Sequence, residues 1–237
     1  MLIKSLACVC FCLVFMSSSC KKQKEICEWS EFTFEHPVSV YPVKDSYNIG
    51  DTIWFEMNFS DVFNTQVRNN IYGNYRSETV QLKNFDFHRN FLSIFSLSDS
   101  TLNVTGQQKG KWSKSFEPIY TTGQMLGELP DGPEYKLKYE NNSYQLKFGM
   151  ILQQSGVFLY NPIFMNYYPN AHNSLNAIKI RPECDGKDQI EDIKFPVNRQ
   201  QDGTHKTNYH LFELYMNPAL ENDVERIKKE CFTFVVK

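Results

Sequence analysis

Apolar and polar residues alternate along most of the first 160 positions, which is the period of a half-buried β-strand. Over residues 51–59, Ile53, Phe55, Met57 and Phe59 fall on one face, and Asn48-Ile49-Gly50-Asp51 ahead of them is a turn signal. Residues 32–43 read as another strand, interrupted by Pro37 and Pro42, which remove ladder donors and suit a sheet edge. Tyr135, Leu137 and Tyr139 alternate, Asn141-Asn142-Ser143 breaks the run, and Tyr144, Leu146, Phe148, Met150 and Leu152 resume it. Two alternating runs around a short polar break predict a hairpin. Ser155-Gly156 then turns the chain into 157–160, expected as a third strand of the same meander. Many short strands at this spacing predict a mainly β fold: an antiparallel β-sandwich, immunoglobulin-like in style, over residues 31–168.

The pattern changes in the last third. Ile193, Phe195 and Val197 alternate in a short strand. Residues 207–216 predict a short helix capped by Asn208, and Pro218 opens a second one in which Leu220, Val224 and Ile227 share a face with Cys231. Glu225 and Lys229 form an i, i+4 pair on it, and 232–236 closes the chain as a strand. Residues 169–237 are therefore expected as a small α/β appendage packed on the sandwich, or as one continuous domain with it.

The N-terminus changes the picture most. Lys4, an apolar run of about 12 residues and Ser17-Ser18-Ser19 make the three parts of a secretory signal over residues 1–19, too short to span a bilayer. Cys20 directly after the small residues resembles the lipobox of bacterial lipoproteins, with Ser17 where Leu is usual. That resemblance implies an acylated Cys20 as the mature N-terminus, with residues 20–30 as a membrane tether. The same Ser17-x-Ser19 pattern also suits ordinary signal peptidase, which leaves a soluble secreted chain. Either route places the folded body outside the cytoplasm. Removing Lys4 leaves 24 basic against 27 acidic residues, a net −3 with no basic run, which gives nucleic acid no electrostatic footprint.

Four cysteines remain after the signal. Cys184 and Cys231 are the natural disulfide, and closing a loop of that length contributes about 4 kcal/mol. Cys27 then stays as a buried thiol or displaces one of that pair.

Candidate chemistry is sparse. H-E-x-x-H, G-x-S-x-G and G-x-G-x-x-G are absent from the sequence, and Gly106-x-x-x-Gly110-Lys111-Trp112 is one residue short of a phosphate loop. The five histidines read as scattered surface residues, and Asp185-Gly186-Lys187-Asp188 with Glu191 and Asp192 as turn acids. Neither a metal nor an organic cofactor is implied. The aromatic content is more suggestive, with 13 Tyr, 19 Phe and 3 Trp. Tyr167 and Tyr168 sit in a loop-like run, as ligand contacts for a sugar or a protein, or as plugs between sheet and appendage.

The lipobox-like end, 40–54, Gly156-Val157-Phe158 and the closing Cys231-Phe232-Thr233-Phe234-Val235-Val236 resemble uncharacterised lipoproteins of the Bacteroidota. The resemblance spans most of the mature chain and implies a periplasmic or surface β-rich lipoprotein, with no catalytic residues to carry over. The expectation is a membrane-anchored, non-enzymatic module binding a glycan or an envelope protein. A glycan-binding accessory protein and an unrecognised hydrolase are the alternatives; two carboxylates lining one deep pocket would favour the hydrolase.

Overall fold

The computed structural model describes residues 29–69, 71–87, 90–97, 115–129, 132–164, 180–181, 184, 188–216 and 224–237. The signal, Cys20, Cys27, the 106–112 turn, His88, His172, Tyr167, Tyr168 and the proposed boundary at 168–169 lie outside them.

The chain is mainly β, in three sheets. The first has four strands: β1 (Ser30–Glu35), β5 (Val62–Asn69), β6 (Tyr75–Gln81) and β14 (Asp188–Lys194), in the order β14-β1-β5-β6. The second is built on β4 (Thr52–Ser60) and β12 (Ser143–Leu152), flanked by β2 (Val38–Tyr41), β8 (Phe116–Thr122) and β11 (Lys138–Glu140). The third runs β3 (Ser46–Tyr47), β15 (Phe232–Val236), β13 (Gly156–Phe164), β7 (Asn90–Ser96), β10 (Gly132–Lys136) and β9 (Gln124–Leu129). Among the described residues, two helices of about two turns each, α1 (Tyr209–Tyr215) and α2 (Val224–Glu230), lie outside the sheets.

The alternation in the sequence is the burial pattern of the strands. Ile53, Phe55 and Met57 are buried, with Phe59 packed against them, and the same holds for Tyr144, Leu146, Phe148 and Met150 directly opposite on β12. Aromatic pairs join the sheets into one core. Phe55 stacks on Phe148 at 4.9 Å and meets Tyr160 of the third sheet at 4.4 Å, while Phe63 of the first sheet meets Tyr144 of the second at 6.3 Å. The hairpin forms as the pattern predicts: Asn141 and Asn142 take φ 51 and 58, the left-handed pair that a two-residue turn requires.

Three expectations are corrected. β13 does not extend the β11–β12 meander. β4 occupies one edge of β12, β8 and β11 share the other, and β13 pairs with β15 and β7 instead. Pro37 splits the 32–43 segment, so β2 is an edge strand but β1 lies between β14 and β5. Asn208 precedes α1 in a left-handed conformation (φ 54) and makes no side-chain cap, because its Nδ2 donates to the Lys44 carbonyl at 2.7 Å. The C-terminal third contributes strands to two of the sheets: β14 pairs in parallel with β1, and β15 inserts between β3 and β13.

Candidate functional site

The C-terminal ends of β1 and β14 lie side by side, with Glu35 opposite Lys194. Beyond them the chain makes a polar loop and returns through α2. Asn198 (φ 45) pins the loop: its Oδ1 accepts from Val40 N at 2.7 Å and its Nδ2 donates to the Lys206 carbonyl at 3.1 Å. α2 is held against the loop at its C-terminal end, where free carbonyls need donors. Val197 N donates to the Lys229 carbonyl at 2.8 Å and the Thr207 hydroxyl donates to the Lys228 carbonyl at 2.9 Å. Its one buried residue, Ile227, packs with Leu159, Phe212 and Cys231.

These elements enclose a cleft of about 420 Å³, within the range of small-molecule sites. Its charged lining is balanced: Glu35, Asp192, Glu225 and Glu230 against Lys194, Arg199, Arg226 and Lys229, with His205 beside them. Most of these groups already hold a partner. Arg199 grips Glu35 through both terminal nitrogens at 2.9 and 3.0 Å. Glu225 meets Lys228 at 3.1 Å and Lys229 at 3.9 Å, and Arg226 donates to Asn161 Oδ1 at 2.9 Å. Glu230 Oε2 accepts from Phe195 N at 3.1 Å. Burial pushes the Glu230 carboxyl above its usual range; the Phe195 N–H and Arg226 pull against that shift, and Asp192 adds to it. His205 Nδ1 lies 2.9 Å from the Val197 carbonyl. A carbonyl only accepts, so in the neutral ring Nδ1 carries the proton and Nε2 remains the acceptor.

Alternation along the chain does not reveal this cleft, because its acids come from three separate parts of the chain. Asp192, one of the expected turn acids, is in it. Asp188, another, is instead a buried structural anion gripped by Arg181, whose Nε lies 3.1 Å from both carboxylate oxygens. Among the described residues, no group of three or more His, Cys, Asp or Glu has the geometry to hold a metal ion.

The histidine expectation fails at His36. It is fully buried among Phe59, Phe63, Phe87 and Phe195, with neither ring nitrogen hydrogen-bonded. Burial alone lowers its pKa to about 3, so the ring is neutral and acts as another aromatic. Alternation places it inward next to outward Glu35, which is the signal that was available. His205 and His210 are separated in space as expected: His210 meets Asp45 at 3.3 Å on the surface.

The Cys184–Cys231 pairing is also corrected. Cys231 is a buried thiol outside any disulfide; its Sγ lies 3.4 Å from Asn161 Oδ1, and it packs with Leu159, Phe212 and Ile227. Cys184 is disulfide-bonded, so its partner is another cysteine of the chain.

Three exposed aromatics and an isoleucine gather at another place. Trp29, Ile71, Tyr72 and Tyr75 are 50, 62, 69 and 64% exposed, around the β5–β6 turn and the start of β1. No family model matches the chain, and neither a curated protein nor a solved structure does so.

Proposed function

We propose that this chain is an extracytoplasmic lipoprotein of the Bacteroidota type, tethered through acylated Cys20, whose folded body binds a polar ligand in the charged cleft without turning it over. Its sheets are read as an immunoglobulin-style sandwich. One observation carries the binding assignment: the cleft holds equal numbers of both charges, and Glu35, Glu225 and Glu230 are each engaged by a cation or a backbone N–H. Ready-made ion pairs of this sort exchange partners with a ligand carrying both charges, such as a zwitterion or a peptide terminus.

A hydrolase is the second reading, favoured by the raised pKa of Glu230 beside Asp192 and by the acceptor nitrogen of His205 in the same cleft. One titration separates the two. Amide spectra of the mature protein are recorded with a panel of zwitterionic amino acids and short peptides. Binding predicts shifts confined to residues 35, 192–206 and 225–230, lost in Arg226→Ala, with the added compounds intact afterwards. Product formation abolished by Glu230→Gln would establish the hydrolase instead, and shifts mapping elsewhere would remove the cleft from both readings.

A further inference from the structure

We propose that Trp29, Ile71, Tyr72 and Tyr75 form a membrane-contact tip that rests in the headgroup region of the bilayer to which the tether leads. The inference rests on the lipid tether proposed above, and the geometry adds what the tether alone does not supply.

The four side chains are gathered at one end of the four-stranded sheet. Ser30 pairs with Asn69, so Trp29 emerges beside the β5–β6 turn that carries Ile71 and Tyr72, and Tyr75 pairs with Arg68 at its base. Glu31 pairs with Arg68 as well, so Trp29, two residues earlier and just ahead of β1, falls on the outer side on which Tyr75 lies. The turn is held in shape by the buried Asn69, whose Oδ1 accepts from Ile71 N at 2.8 Å and Tyr72 N at 3.1 Å. Gly73, at φ 68, donates to the Asn69 carbonyl at 2.7 Å, a conformation that favours glycine. The rings are therefore presented on a fixed turn.

The chemistry of the tip suits an interface between water and lipid. Trp29 and residues 71–75 carry no charge, while the flanking charges are paired among themselves, Arg68 with Glu31 at 3.5 Å and Arg76 with Glu78. Tyrosine and tryptophan combine an apolar ring with one polar atom and settle at headgroup depth, and an isoleucine beside them adds apolar area.

The occupant follows from the chain that leads away from the tip. Only residues 21–28 separate the proposed acyl anchor at Cys20 from Trp29. The nine Cα-to-Cα steps between them span at most about 30 Å. The tip is thus never far from that bilayer, at an effective concentration in the millimolar range that a free partner rarely reaches. Lys21, Lys22 and Lys24 lie at the anchor end of the tether, where anionic headgroups attract them. The tip and the cleft occupy opposite ends of β1, so contact at the tip turns the cleft away from the membrane.

The test holds the mature chain on nickel-chelating vesicles through a hexahistidine tag placed before residue 21, so that it does not depend on native acylation. With Trp54→Phe and Trp112→Phe, Trp29 is the only indole, and vesicles containing lipid brominated near the headgroup should quench its emission at least twofold and shift it to the blue. A control chain retaining only Trp54 should be unaffected. Equal quenching of both, or of neither, overturns the proposal. If a tryptophan variant fails to fold, hydrogen exchange on the unsubstituted chain decides: the amides of 72–76 should slow at least fivefold on vesicles, and unchanged rates sink the tip. A separate arm follows labelled palmitate into the full chain and its Cys20→Ser variant. No incorporation in the full chain removes the native tether and leaves the vesicle result to decide whether the tip is lipid-seeking.

Discussion

The two ends of the four-stranded sheet are tied by the same device, an arginine forked onto a carboxylate, in opposite surroundings. At the tip end, Arg181 and Asp188 have side chains only 17 and 1% exposed. Arg181 also donates to Ser30 Oγ at 3.1 Å and lies over the Phe32 ring. At the cleft end, Arg199 and Glu35 are 46 and 47% exposed. Water screens the second pair and not the first, so the difference lies in what happens when a partner is removed. A stripped buried ion has nothing to replace its partner, whereas a stripped exposed one is solvated. The tip end is built to stay fixed, and the cleft end is built to exchange partners.

Four measurements break or sharpen this contrast. The largest effect concerns Cys184. Cys231 lies outside any disulfide, and on the proposed acylation of Cys20 the partner expected for Cys184 is Cys27, close in sequence to Ser30, which pairs with Asp188. Cys27→Ser and Cys184→Ser should each lower the unfolding free energy by up to about 5 kcal/mol, without adding in the double variant. A peptide map joining Cys184 to any cysteine but Cys27 breaks that part of the comparison. Asp188→Ala comes next, at about 3–5 kcal/mol in urea, since it leaves the Arg181 charge buried and unpaired.

The third measurement concerns pH at the cleft end, where His36 follows Glu35. The folded pKa of about 3 lies below the usual 6.5, so the neutral ring stabilises the fold above pH 6.5 and that stability drains away as pH falls from 6.5 towards 3. Between pH 7 and 5 the loss attributable to His36 is about 2 kcal/mol, and His36→Phe should flatten the pH dependence by that amount. A variant as acid-sensitive as the parent would show that other groups dominate. The smallest effect is Arg199→Ala, expected to cost under about 1 kcal/mol. A loss as large as that of Asp188→Ala would erase the distinction between the ends.

Local pattern carried much of the fold. Period-2 alternation located β4, β12 and the inward faces of both, and Asn141-Asn142 marked the hairpin, because each signal depends only on neighbours along the chain. The sheet assignment of β13 was not legible, since nothing in 156–164 records that both edges of β12 are already filled. The β1–β14 pairing brings together residues 158 positions apart, as at Gln189 and Glu31, and periodicity does not encode a partner at that range. The cleft escaped for the same reason. Its acids are ordinary surface residues until the loop anchored at Asn198 folds α2 across the strand ends. The tip was legible in principle: Ile71-Tyr72-Gly73-Asn74-Tyr75 places aromatics in a turn, where they have no core to enter.

The parallel pairing of β1 with β14 also sets the order in which the sheet is completed as the chain emerges. β1 comes early, and β14 follows only after some 150 further residues. Until then β1 has β5 on one side and an open row of amides and carbonyls on the other, which is an invitation to wrong partners. Contacts so distant in sequence form slowly. Closure of this sheet therefore reports that the chain has been made through β14: a product truncated before residue 188 keeps an unsealed edge, while the longer chain seals it with its own late strand.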